Sequence, residues 1–303
     1  MVKADLSINI DQAIEQFCIR LMADNRAAGT ISAYRRDLLM VVRVITELAP
    51  DSSSLGITPA LLDSAFSSPA ITITKRGPRS AASLHRMKGA IRSFFSWAFE
   101  SGITPDNPAR MLRMQRLPRK PPSFLTQAEK KKLLKEVKGR SRFMDLRDRM
   151  MIELLLGTGI RLAELTGLNI DDIDLAAKHL RVIAKGNIQQ VKFLKTDLRS
   201  LLQRYLVIRQ RQPTKSEALF LSNRASRLCQ RQIANRINHW LTKTGIEKHL
   251  TPHSMRHTFA THLYSATNDL LVVQRALGHR DISTTQIYTH LVDGQLEEAL
   301  ERL

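Results

Sequence analysis

The chain has 303 residues, 43% of them hydrophobic, enough for two globular domains with separate cores; no apolar run approaches the roughly 18 to 20 residues of a membrane helix, and the polar Asp5, Asn9 and Asp11 argue against a secretory signal. The two cysteines, Cys18 and Cys229, are isolated, which argues against a disulfide framework or a cysteine metal site and makes the cytoplasm the natural compartment, with no membrane partner. Against 28 Asp and Glu stand 47 Lys and Arg, a net charge of +19 that points to a polyanionic partner, since cationic surfaces gain free energy by releasing the counterions of a phosphate backbone.

In the first hundred residues, apolar positions recur three and four apart, the period of helices. Ile10, Ile14, Phe17 and Leu21 form one stripe, and Tyr34, Leu38, Val41, Val42 and Ile45 line a second helix over Thr30 to Leu48. A third helix is predicted after the cap-then-proline pair Thr58-Pro59, and a long fourth from about Arg79 to Glu100 ends near Gly102. The fourth carries Arg79, Arg86, Lys88 and Arg92, candidates for DNA contact, beside Ile91, Phe94, Phe95, Trp97 and Phe99, which read as core. The proline-bearing basic stretch within 113–123 reads as a linker between a helical domain at 1–112 and a second domain at 124–303.

The second domain opens with Thr126 and Glu129, spaced as a capping box before a Lys-rich helix. A helix from about Phe143 to Leu156 ends at Gly157 and Gly159. The clear strand signal is a hairpin, 179–184 and 189–194, around Lys185-Gly186-Asn187. Helical patterns resume over Thr196 to Arg211 and from about Cys229 to Thr244. At the extreme end, 295–303, Leu296, Ala299, Leu300 and Leu303 form one apolar stripe after Gly294.

Breaking a DNA strand without a metal needs a nucleophile, cations to stabilise the pentacoordinate phosphate, and an acid for the leaving oxygen. Arg161 follows the tight turn Gly157-Thr158-Gly159, and Arg256 lies on a helix opened by Thr251-Pro252 with His253 one turn before it. Guanidinium groups suit this task because each can bind two phosphate oxygens at once. Ser283 and Gln286 form another capping-box pair that would start a short helix carrying Tyr288, with His279 in the loop before it. A tyrosine hydroxyl, with an ordinary pKa of about 10, needs such neighbours to become a nucleophile. His253 and His257 are four apart like a metal pair, but no Glu lies between them and no acidic or cysteine cluster accompanies them, so no metal and no cofactor are expected.

The segments TGIRLAEL, AKGN, LTPHSMRHTFATHL and LGHRDISTTQIYTH, in this order over 124–303, resemble the tyrosine recombinase, or phage integrase, family, most closely its Xer-type branch. The resemblance implies a SAM-like helical core-binding domain followed by a mostly helical catalytic domain with a small antiparallel sheet. It implies Tyr288 as nucleophile in a 3′-phosphotyrosyl intermediate, Arg161 and Arg256 on the scissile phosphate, and Lys185 as proton donor to the 5′-oxygen. His253 would act in acid–base transfer, His279 would hydrogen-bond the phosphate, and Glu164 would orient the cluster. The implied partner is double-stranded DNA at a specific inverted-repeat site, recombined through a Holliday junction by a homotetramer, with or without a paralogous recombinase. In relatives a C-terminal helix like 295–303 docks on the neighbouring protomer. One departure stands out: where Xer-type relatives continue the hairpin with basic residues, this chain has Asn187-Ile188-Gln189-Gln190.

A DNA-binding regulator would need the charge but not the full set of six candidate catalytic residues. A type IB topoisomerase would use similar residues but act as a monomer without a specific site. Integration or excision, and dimer or cointegrate resolution, share one chemistry and stay open at this level.

Overall fold

The computed structural model describes residues 9–50, 56–115, 122–137, 143–184, 188–248, 250–278 and 285. The chain forms two compact units, Met1–Arg119 and Lys120–Leu303, with separate apolar clusters. Among the described residues, no helix is long and apolar enough to cross a membrane.

In the first unit, Asn9 opens α1 (Ile10–Ala23) with a reciprocal cap: its side chain accepts from the Gln12 N–H at 2.9 Å, and its own N–H donates to Gln12 Oε1 at 3.1 Å. The stripe Ile10, Ile14, Phe17 and Leu21 is buried. α2 (Ala28–Leu48) turns Leu38, Val41, Val42 and Ile45 inward beside half-buried Tyr34. Thr58 caps α3 (Pro59–Ser67), where the missing N–H of Pro59 has no helical partner to lose.

Between α3 and the long helix the structure adds elements that periodicity does not predict: the single turn α4 (Pro69–Thr72), then β1 (Ile73–Thr74) and β2 (Gly77–Pro78), antiparallel. Such short pieces carry no readable period. Gly77, with φ of +108°, supplies the turn. The long helix α5 (Ala81–Glu100) therefore starts at the Ser80 cap, two residues later than Arg79. Ile91, Phe94 and Phe95 are buried, Trp97 is half-buried against them, and Phe99 is exposed, contrary to its assignment to the core. Phe94 meets Phe17 edge-on, ring centroids 5.6 Å apart, which joins α5 to α1.

In the second unit, the capping box of Thr126 and Glu129 opens α6 (Gln127–Glu136). α7 (Phe143–Thr158) is buried on nearly every side, including Leu146, Met150, Leu154 and Leu155, and is the central helix of this unit. After the short α8 (Leu162–Gly167) come β3 (Ile173–Asp174), β4 (His179–Ala184) and β5 (Ile188–Phe193), an antiparallel sheet in that order. The hairpin forms as predicted except that its second strand starts and ends one residue earlier than 189–194; the two-residue β3 is too short to show alternation. α9 (Thr196–Gln210), α10 (Gln230–Lys243), α11 (Pro252–Thr267) and α12 (Leu270–Leu277) complete the described part.

A buried carboxylate ties α7 to α10. Asp148, fully buried, accepts from Arg147 Nη2 at 2.8 Å, Arg236 Nε at 2.7 Å and Trp240 Nε1 at 2.9 Å. Arg147, also buried, donates Nη1 to the Leu221 carbonyl at 2.6 Å. Removing the carboxylate strands a buried guanidinium, which typically costs about 3–5 kcal/mol. Asp148→Ala is accordingly expected to lower unfolding free energy in urea by that order, whereas Arg20→Ala, which breaks the exposed pair with Asp24, changes it by less than about 1 kcal/mol.

Candidate active site

Gly159 is the pivot of the site. Its φ is +63°, and a Cβ there would overlap the Phe259 ring on α11 and come within 3.0 Å of Leu277 on α12. Only glycine combines that backbone conformation with that approach. Its carbonyl accepts from Arg256 Nη1 at 2.5 Å, while Arg256 Nη2 donates to the Leu277 carbonyl at 2.9 Å. The guanidinium of α11 thus links the turn after α7 to the last turn of α12.

Two residues beyond Gly159, Arg161 opens α8 in an extended conformation. Glu164, buried, accepts the Arg161 backbone N–H on Oε2 and its Nη1 on Oε1, both at 2.8 Å. One carboxylate thereby fixes both the backbone and the side chain of Arg161, whose side chain keeps 33% of its surface exposed. That exposure leaves room for an anion to approach.

His253 lies exposed in the first turn of α11, three residues before Arg256. His257, one turn further on, is half-buried; burial first, then the nearby His253 and Arg256, lower its pKa to about 4, so it is neutral at pH 7. Among the described residues, no three His, Cys, Asp or Glu side chains form a metal-ligand group.

A residue absent from the sequence-level candidates enters this cluster from the sheet. Lys192 stands opposite Leu180 in the β4–β5 register, so it shares the buried face of Leu180, Val182 and Ala184. It is 5% exposed and donates Nζ to the Ala276 carbonyl in α12 at 2.6 Å. Burial lowers its pKa to about 8; Glu164 opposes this shift, and Arg256 and Arg161 add to it. Strand parity would have revealed a lysine on the inward side of the hairpin. Outward, the same parity leaves Ile183 and Phe193 exposed.

Lys185, in the connection between β4 and β5, lies outside the described residues, as do His279, Tyr288, the stretch 295–303 and residues 116–121 of the linker. The four basic candidates of the first unit take up varied positions. Arg86 forms a two-pronged pair with buried Asp37 of α2, at 2.8 and 3.0 Å. Arg79 Nε donates to the Ile71 carbonyl at 2.6 Å. Lys88 donates to the Arg113 carbonyl at 3.2 Å and lies 5.4 Å from the centre of the Phe66 ring. Arg92 is exposed. With His85, whose ring meets the Gln115 carbonyl at 3.0 Å, Lys88 holds the start of the linker against α5.

Two anchored guanidiniums with a supporting carboxylate, and a buried ammonium nearby, gather on a helical scaffold with a small sheet. The chain matches the phage integrase family over residues 123–295 and that family's N-terminal SAM-like domain over 14–102. It belongs to the phage integrase family, the tyrosine recombinases. It is 32% identical to tyrosine recombinase XerC of Yersinia pestis, covering 95% of this chain and 92% of that one, and 33% identical to tyrosine recombinase XerC of Corynebacterium glutamicum, covering 99% and 94%. The XerH site-specific recombinase, in a post-cleavage complex with a palindromic difH substrate, matches with a TM-score of 0.75 at 26% identity over 96% of this chain and 84% of that one.

Two outcomes are expected from this geometry. Gly159→Ala strains the pivot and moves the carbonyl that holds Arg256, so DNA cleavage falls at least tenfold in a strand-cleavage assay and the protein melts at lower temperature. For His257, an unfolded chain takes up a proton below about pH 6.5 while the folded one does not until about 4. Stability is therefore lost as pH falls from 6.5 to 4, by at most about 3 kcal/mol, and urea unfolding of His257→Leu across that range should lack this component.

Proposed function

We propose that this protein is a site-specific DNA recombinase that cleaves and rejoins strands through a covalent link to Tyr288. The observation that carries the reading is the junction at Gly159: it joins Arg256 to the turn that ends in Arg161, and Glu164 holds the second guanidinium. In this reading the two arginines bind the non-bridging oxygens of the scissile phosphate. Their fixed charges favour the pentacoordinate state, where negative charge accumulates, over the ground state.

The chemistry balances without an external energy source. The Tyr288 oxygen forms a bond to phosphorus as the bond from phosphorus to the 5′-oxygen breaks, and Lys185 gives that oxygen its proton. His253 takes the phenolic proton that Tyr288 loses, and His279 donates a hydrogen bond to the phosphate. The 3′-phosphotyrosyl ester keeps the bond energy, so attack by a 5′-hydroxyl of the partner duplex reseals the strand, and two rounds pass through a Holliday junction. Integration or excision and dimer or cointegrate resolution all run on this sequence of steps.

The partner is double-stranded DNA at an inverted-repeat site, bound by a homotetramer, alone or with a paralogous recombinase, in the cytoplasm. Residues 1–112 form the core-binding domain, 113–123 the linker and 124–303 the catalytic domain. The apolar stripe of 295–303 suits docking either on the neighbouring protomer or on its own domain. Arg92, with the exposed parts of Arg79, Arg86 and Lys88, contacts the phosphate backbone. XerH, a site-specific recombinase in complex with a palindromic DNA substrate, supports DNA as the partner.

The test is a covalent trap. Wild-type protein and Tyr288→Phe are incubated with labelled DNA from the region flanking the gene, with EDTA, and quenched in SDS. The wild type is expected to give a protein–DNA adduct and the variant none; an adduct that persists in Tyr288→Phe overturns the nucleophile assignment.

A further inference from the structure

Lys192 is an unusual choice for its position. Alternation along β5 puts it among Leu180, Val182 and Ala184, where an apolar side chain would fill the space without the desolvation that an ammonium suffers. Among the described residues no carboxylate pairs with the ammonium; its partner there is a main-chain carbonyl, that of Ala276. This carbonyl belongs to the last turn of α12, where unsatisfied helix carbonyls and the negative end of the helix dipole favour a cation.

The same helix end is held from two further directions. Arg256 donates to the Leu277 carbonyl at 2.9 Å. Gln190, two residues before Lys192 on the same face of β5, packs so closely on Gly278 that a Cβ there would overlap its side-chain amide. Gly278 caps α12 in the left-handed conformation, φ +68°, and the chain runs directly on to His279 and, ten residues past the cap, to Tyr288. At the other end of β5, the strand continues from the connection that carries Lys185.

We infer that Lys192 is a positioning residue for strand cleavage: its ammonium fastens the carbonyl end of α12, which the sequence continues into His279 and Tyr288, to β5, which follows Lys185 in the sequence. The inference rests on the recombinase reading. Lys192 acts through the main chain of α12 and donates no proton to the reacting oxygens. Its ammonium, with a pKa lowered to about 8 by burial, still carries its proton at pH 7. Gln190 serves the same fastening by shape, which gives a use to one of the polar residues that replace basic ones in this hairpin.

Three variants separate this role from its rivals: Lys192→Met, which keeps the length without the charge; Lys192→Arg, which restores a cation; and Lys185→Ala as a reference. On DNA where the wild type forms its adduct, Lys192→Met is expected to bind as tightly as the wild type but to form the adduct at least tenfold more slowly, with Lys192→Arg recovering part of the rate. A 5′-bridging phosphorothiolate substrate, whose sulfur leaves without a proton, should rescue Lys185→Ala and not Lys192→Met. Hydrogen exchange on the DNA-free proteins supplies a readout that needs no cleavage. Amides of 276–290 should exchange faster in Lys192→Met than in the wild type, with α7 and α11 unchanged and a melting temperature no lower.

Unchanged exchange at 276–290 would overturn the inference even if no cognate DNA were found. Rescue of Lys192→Met by the phosphorothiolate would overturn it in favour of a proton donor. Absence of any adduct from the wild type on its cognate site would instead count against the recombinase reading.

Discussion

The guanidinium of Arg256 is the interaction on which the rest of the site depends, because it replaces water with two main-chain carbonyls from segments far apart in sequence. Its bonds to Gly159 and Leu277 hold together the turn after α7, α11 itself and the end of α12. A charged donor to a carbonyl in a nearly dry setting is stronger and more directional than apolar packing. The geometry also explains why Gly159 admits no side chain: the carbonyl must reach Arg256 while the Cα lies against Phe259. Arg161 then inherits its place from the same turn, and Glu164 fixes its direction.

The second unit carries a large load of buried charge for its size, and the charges fall into two groups with different physical logic. Asp148 accepts from Arg147, Arg236 and Trp240 and so ties α7 to α10 in a hydrogen-bonded network. Lys192 is different. Burial weakens its hold on its proton, and an apolar replacement would be the more stable choice. A buried ammonium that costs stability, near Arg161 and Arg256, is what is expected where function and stability compete.

The hairpin shows how this chain departs from its relatives while keeping their scaffold. Its polar Gln189 and Gln190 follow Lys185 where the family resemblance implies basic residues, and the structure packs Gln190 against Gly278. On the first unit, Arg79, Arg86 and Lys88 each have an intramolecular partner as well as exposed surface. Basic residues on a helix facing DNA can serve both ends, since a guanidinium has five donors and an internal pair uses only some of them.

Sequence alone determined the longer helices of both units, though not α4 or α12, the hairpin, and the turn at Gly159 followed by Arg161, because local caps, periodicity and glycine placement fix backbone conformation over a few residues. It also determined the order of the motifs and hence the family resemblance, and it singled out Arg161, His253 and Arg256 by residue type and spacing and Glu164 through that resemblance. The tertiary structure decided what these residues touch. The Arg256 bonds to Gly159 and Leu277 and the Arg86 pair with Asp37 depend on packing between distant segments, which no local pattern encodes. Two-residue strands such as β1 and β3 escaped because they are shorter than any period. Lys192 passed unnoticed because a lysine in a strand reads as solvent-facing until register assigns it, with Leu180, to the buried side of the sheet.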